Sequence, residues 1–307
     1  MKRILVTGAS GLLGLNLSLW LAKTMEVVGV AHAPELKGLD FPVHVTDLST
    51  DGEAKRIVEK VKPDAIIHTA AMAIVDECEK HPDRARRVNA DLPGEMARIA
   101  GKLGIPLVHI STDAVFDGSK GDYVETDEPH PLSVYAETKL QAEKNVLAEN
   151  KDAIVARVNF YGWSLRGRRS LAEFFFNKLS AGEPVNGFKD VYFCSLFVLD
   201  LAELLMIMLE KELNGLYHTV SRDCISKYEF GLGIARRFGF DESLVKPVAV
   251  AEGGLLAARS PNLCLNVSKL EKVLGKPLPG QKAGMQKFHE TYLSGYRQEL
   301  QAHCADV

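Results

Sequence analysis

Ile4-Leu5-Val6-Thr7-Gly8-Ala9-Ser10-Gly11-Leu12-Leu13-Gly14 begins as a β-rich apolar run, breaks at three glycines and continues as an apolar helix. Each glycine answers a steric need of a strand–turn–helix that holds a pyrophosphate. Gly8 permits the tight turn, Gly11 lets backbone approach the phosphates, and Gly14 lets the helix pack against the strand. The helix N-terminus then offers unpaired N–H groups and its positive dipole end to an anion. Glycine-rich turns also have purely structural uses. Between the first strand and the first helix, this one predicts dinucleotide binding by Gly8, Ser10, Gly11, Leu12, Leu13 and Gly14.

Downstream of the turn, short β-rich runs alternate with helical patterns, the mark of a parallel sheet covered by helices. Strands are expected at Val27–Val30, Val43–Val45, Ala65–Ile67, Leu107–Ile110 and Ala153–Val158. Helices are expected over Gly52–Val61, Pro82–Gly101 and Ala136–Glu149, with Pro82 in a first turn where its missing N–H costs nothing. After residue 158 the alternation lapses, and one further strand, Leu216–Val220, interrupts helical and irregular segments. The fold class is therefore α/β: a Rossmann-like doubly wound parallel sheet over 1–158, to which 190–220 returns. A smaller mixed α/β substrate domain takes 159–189 and 221–307, and residues 302–307 read as a loose tail.

Length and composition agree. At 307 residues, two domains are the natural division, and 46% hydrophobic with 25% charged residues is ordinary for globular chains. Net charge is −3, which offers no electrostatic footprint for nucleic acid or an anionic membrane. No apolar run reaches the length of a membrane span, and the glycines interrupt what would otherwise look like a signal segment. Five cysteines without a CxxC pair or metal-ligand spacing read as reduced thiols of a cytoplasmic protein, with no metal site.

Tyr135 and Lys139 lie four residues apart, hence on one helix face. Ketone reduction needs a proton donor at the carbonyl oxygen. A tyrosine whose pKa is lowered by a neighbouring cation fills that role. Thr112 stands 23 residues upstream, just after a strand, where its hydroxyl can hydrogen-bond the same oxygen. Thr112, Tyr135 and Lys139 form the candidate catalytic set. His68 and His109, at strand ends, read as packed residues.

The GxxGxxG spacing resembles that of short-chain dehydrogenase/reductases. That resemblance implies cofactor contacts from Asp47 and Leu48 after the third strand, from Ala70, Ala71 and Met72 after the fourth, and from Tyr135 and Lys139. Asp47 can also be read as a helix N-cap. Ser111-Thr112-Asp113-Ala114-Val115-Phe116-Asp117-Gly118, Pro131-Leu132-Ser133-Val134-Tyr135, the stretch 70–79 and Arg259-Ser260-Pro261-Asn262 narrow the likeness further. They resemble the dTDP-4-dehydrorhamnose reductase family of extended short-chain enzymes, over residues 1 to about 290. The resemblance implies reduction of a nucleotide-activated 4-keto-6-deoxysugar: hydride from a nicotinamide to the keto carbon, a proton from Tyr135.

Three positions depart from the family pattern. Ala114 replaces a tyrosine that lines the sugar site, Arg259-Ser260-Pro261-Asn262 stands where the motif usually reads Arg-Pro-x-Asn, and Asn16 replaces a glutamate that binds Mg²⁺ at a dimer interface in some members. Asp113, Trp163 and Arg259 are candidate substrate contacts, and Arg166, Arg168 and Arg169 are candidates for a diphosphate. The second expected strand ends without an acid to repel a 2′-phosphate, and His32 and Lys37 lie nearby, which favours NADP(H) over NAD(H). The expected partner is a nucleotide sugar, with a homodimer compatible. Alternatives are a nucleotide-sugar epimerase, or a non-catalytic NADP-binding regulatory subunit resembling the methionine adenosyltransferase beta subunit.

Overall fold

A computed structural model of the chain describes residues 2–33, 36–252 and 260–305. The first half comprises β1 (Arg3–Thr7), α1 (Leu12–Leu21), β2 (Glu26–Ala31), β3 (Val43–Val45), α2 (Glu53–Val61) and β4 (Ala65–His68). It continues with α3 (Val75–Lys80), α4 (Pro82–Arg86), α5 (Leu92–Leu103), β5 (Leu107–Thr112), α6 (Val134–Glu149) and β6 (Ile154–Val158). The second half holds β7 (Phe160–Tyr161), α7 (Leu171–Ser180), β8 (Val185–Phe188), β9 (Tyr192–Phe193), β10 (Leu196–Phe197), α8 (Val198–Glu210) and β11 (Gly215–His218). Then follow β12 (Ile225–Ser226), α9 (Lys227–Phe238), β13 (Val245–Val248), β14 (Asn262–Leu263), α10 (Ser268–Leu274), α11 (Gln281–Leu293) and α12 (Tyr296–Ala302).

Seven strands form one parallel sheet in the order β11-β6-β5-β4-β1-β2-β3. Its strands are apolar on both faces because helices cover both. Ile4, Val6, Ile67 and Val108 pack towards the leucines of α1 and α8, whereas Leu5, Ile66 and Val155 pack towards α2, α5 and α6. The strand order reverses between β1 and β4. At such a switch point the connections leave in opposite directions and a crevice opens at the carboxyl ends of the strands.

The remaining strands build the second lobe: β8 pairs with β13, β7 with β10, and β9 lies between β12 and β14. An aromatic cluster of Trp163, Phe176, Phe238, Phe288 and Tyr292 fills its base.

Three expectations change. The helix expected over Pro82–Gly101 is broken by one wide, π-type turn at Arg87–Asp91, which turns Asn89 inwards. The supposed loose tail is partly held: Cys304 bridges Leu36, and His303 accepts a hydrogen bond from the Lys37 amide. Cys224 and Cys264 are joined in a disulfide rather than reduced, because strand pairing brings together cysteines 40 residues apart. Among the described residues, no helix is long and apolar enough to cross a membrane.

Candidate active site

At the switch point the glycine turn has the shape its sequence requires. Gly8 takes φ +70°, and a Cβ there would lie 2.8 Å from the Ala70 backbone; a Cβ on Gly14 would lie 2.1 Å from the Gly8 carbonyl oxygen. Gly11 caps α1 without any side-chain hydrogen bond to the helix, so the first-turn amides are left for a ligand. Beside this turn is a crevice of about 460 Å³. Gly8, Ser10, Gly11, His32, Asp47, Leu48, Ala70, Ala71 and Met72 line it, as the sequence anticipates. Gly14 and the Leu13 side chain are buried beneath it, so their part is to pack the helix against the sheet. These features fit the adenosine and pyrophosphate end of a dinucleotide.

Charge in the crevice is distributed differently from expectation. Asp47 accepts hydrogen bonds from the Ser49 amide (2.9 Å) and hydroxyl (2.6 Å) in a turn, but the N-cap of α2 is Gly52, so Asp47 is not the helix cap it could be read as. Burial raises the Asp47 pKa, but the Ser49 hydrogen bonds outweigh it and hold the carboxyl below its ordinary value. His32 Nδ1 lies 3.8 Å from that carboxylate. Arg84 and Arg169 also line the crevice. Arg84, on α4, carried no sequence signal. Asn89 was also missed: it receives the Met72 amide (2.8 Å), donates to the Met72 carbonyl (3.0 Å) and reaches Thr138 (3.3 Å), tying the crevice wall to α6.

The candidate catalytic residues meet two strands away. Thr112 ends β5, and Ser133 caps α6 by accepting the Ala136 amide, which sets Tyr135 in the first turn. The Thr112 hydroxyl lies near enough to the Tyr135 phenol to act on its titration. Lys139, one turn on, is 2% exposed; its ammonium donates to the Ile110 carbonyl (2.6 Å) and lies 3.3 Å from His109 Nε2. Tyr135, Lys139 and Glu143 recur at four-residue spacing along this face. Glu143 forms a buried two-point ion pair with Arg157 (2.7 and 2.9 Å).

Desolvation dominates this pocket. Burial pushes the Tyr135 phenol up to about 12, against the opposing effect of the nearby Thr112 hydroxyl, and brings Lys139 down to about 8. The lowered tyrosine pKa expected from the Tyr–Lys spacing is therefore absent. The Lys139 ammonium is aimed at Ile110 and His109 instead of at the phenol. His109 and His68 are fully buried and stack with ring centroids 5.6 Å apart. Burial and the Lys139 charge lower the pKa of both, His68 to about 3, so they stay neutral. They are packed, as expected, yet His109 also touches a candidate catalytic group.

Asp113 adjoins Thr112. It is 4% exposed, accepts from Asn159 Nδ2 (2.7 Å) and from Thr112 (3.1 Å), and burial pushes its pKa up to about 6. Trp163 is not brought to the site: it is fully buried, stacks on Phe288 at 4.0 Å and donates to Thr291. Its position after β7 in an aromatic-rich lobe explains why it packs rather than binds. Asn16 is likewise internal, donating to the Leu12 and Trp163 carbonyls and accepting from the Tyr296 hydroxyl. Arg259 lies outside the described residues.

Residues 1–294 match the RmlD substrate binding domain family. The chain belongs to that family. It is 32% identical to a probable low-salt glycan biosynthesis reductase of Haloferax volcanii, over 89% of this chain and 93% of that one. It is 30% identical to the beta subunit of methionine adenosyltransferase 2 of Bos taurus, covering 91% and 84%. Its fold superposes on the crystal structure of dTDP-4-dehydrorhamnose reductase from Bacillus anthracis in complex with NADP, with a TM-score of 0.83 and 26% identity over 94% and 99% of the two chains. The dTDP-4-dehydrorhamnose reductase resemblance read from the sequence is thus the family to which this RmlD-type chain belongs.

Proposed function

We propose that the chain is an NADPH-dependent reductase of a nucleotide-activated 4-keto-6-deoxysugar. The observation that carries the reading is the grouping of Thr112, at the carboxyl end of β5, with Tyr135 and buried Lys139 on α6, two strands from the glycine turn. When bound, NADPH supplies the hydride for the keto carbon. The chain supplies everything else. A phenol held near pKa 12 stays protonated at neutral pH and gives its proton to the ketone oxygen as negative charge develops there. Thr112 donates a hydrogen bond to the same oxygen, and Lys139 holds the cofactor ribose below it. Asp113, pinned by Asn159, borders the sugar.

The glycine turn and first α1 amides hold the pyrophosphate. Arg84 and Arg169 supply positive charge at the adenosine end, beside His32, where a 2′-phosphate distinguishes NADPH from NADH. The regulatory-subunit alternative has the bovine relative and Ala114 in its favour. NADPH oxidation measured against dTDP-, GDP- and CDP-linked 4-keto sugars separates the two. Turnover of one of them supports the reductase; no turnover, with stable capture of a methionine adenosyltransferase catalytic subunit, supports the alternative.

A further inference from the structure

Away from the crevice, three cysteines converge on one point of the second lobe. The register of its three-stranded sheet sets them there. Ile225 of β12 and Leu263 of β14 both pair with Phe193 of β9, and Cys224, Cys264 and Cys194 each adjoin one of these three residues in sequence. The Cα atoms of Cys224 and Cys264 are 5.5 Å apart, their sulfurs are bonded, and all three sulfurs lie within 4.8 Å of one another.

We propose that the Cys224–Cys264 disulfide is a reversible redox tether on the wall of the substrate site, opened by a dithiol reductant. Its connections favour this role. On one side, residues 260–266 rest on the loop that follows Thr112 and Asp113. Tyr123 donates to the Cys264 carbonyl (3.0 Å), Asn266 donates to the Tyr123 carbonyl (2.8 Å), and Ser260 reaches the Phe116 carbonyl (3.2 Å). Gly121 leaves no space for a Cβ beside Asn262. On the other side, the disulfide ties this segment to Cys224, which leads through β12 into α9 and Lys227, a residue whose charge acts on Asp113. The bond therefore joins a segment that rests on the loop after β5 to one whose Lys227 acts on Asp113.

Access and selectivity follow from burial. Cys224 and Cys264 are half-buried, within reach of a small dithiol, whereas Cys194 is buried. Burial pushes the Cys194 thiol up to about 12, so it stays protonated and does not attack its neighbour. Exchange is left to the external reductant. One thiolate of the dithiol attacks a sulfur of the bridge; the S–S bond breaks, a mixed disulfide forms, and the departing cysteine thiolate takes a proton from water. The second thiol of the reductant then closes its own disulfide and releases the other cysteine. Two electrons pass from dithiol to protein, and an oxidised dithiol reverses the step.

The link to substrate binding rests on the proposed reductase reading, but the first readouts do not need turnover. In the full chain purified without reductant, alkylation should spare Cys224 and Cys264 and mark both after dithiothreitol. Reduction should speed amide hydrogen exchange over 260–266 by about tenfold. Cys224→Ser/Cys264→Ser protein should exchange fast with or without reductant, and Cys304→Ser should behave as the parent does. Affinity for dTDP should fall on reduction while NADPH affinity holds. Alkylation of both residues before reduction would overturn the tether, as would exchange and dTDP affinity that ignore reductant. Chelator-sensitive zinc bound by the three cysteines would overturn it as well, by making them a metal site. A chain that reduces no keto sugar but passes the alkylation and exchange tests fails the functional reading and keeps the tether.

Discussion

Lys139 should make the protein less stable at neutral pH than at alkaline pH, by an amount the structure allows to be worked out. In the unfolded chain its ammonium titrates near 10.5; in the folded pocket burial lowers this to about 8. The folded state therefore binds fewer protons between these values, and stability rises with pH across that window. The shift corresponds to about 3 kcal/mol at pH 7, of which about 2 kcal/mol is recovered by pH 9.5. Lys139→Met removes the titration while keeping an unbranched side chain. It also removes the bond to the Ile110 carbonyl, which offsets part of the relief at neutral pH. The difference between parent and variant across pH isolates the titration, because every other group is common to both. Urea unfolding at pH 7 and 9.5 should show the parent gaining about 2 kcal/mol relative to Lys139→Met. Parallel pH profiles, within about 0.5 kcal/mol, would refute the claim that this ammonium is held desolvated.

Tyr135→Phe should lower kcat by about 10²- to 10⁴-fold while leaving NADPH affinity unchanged, read by turnover and fluorescence titration; undiminished turnover would remove the phenol from the chemistry. Arg84→Ala/Arg169→Ala should weaken NADPH more than NADH, narrowing the ratio of the two affinities, because both guanidinium groups line the crevice at the end the proposed reading gives to adenosine. Trp163→Ala should cost about 3–5 kcal/mol of stability by emptying the aromatic cluster. The surviving folded enzyme should keep its KM for the sugar, and a selective rise in that KM would return the tryptophan to the substrate site.

The sequence by itself determined the sheet, the glycine turn and the proximity of the candidate catalytic residues. Those features are local: strand and helix periods, three glycines whose missing side chains answer a steric need, and a four-residue helical spacing. What crosses the chain was decided by tertiary structure. Nothing near Cys224 announces Cys264, since only the pairing of β9 with two strands far apart in sequence brings them together. The π-type turn that sends Asn89 to Met72 is invisible to a pattern that reads Pro82–Gly101 as one helix. Trp163 and Arg169 belong to the same short stretch of chain, yet one sinks into an aromatic core and the other lines the cofactor crevice. The charge states of Tyr135 and Lys139 show the limit most clearly. Spacing places a cation near a phenol, but burial sets the pKa of each, because the cost of stripping water from a charge depends on everything packed around it.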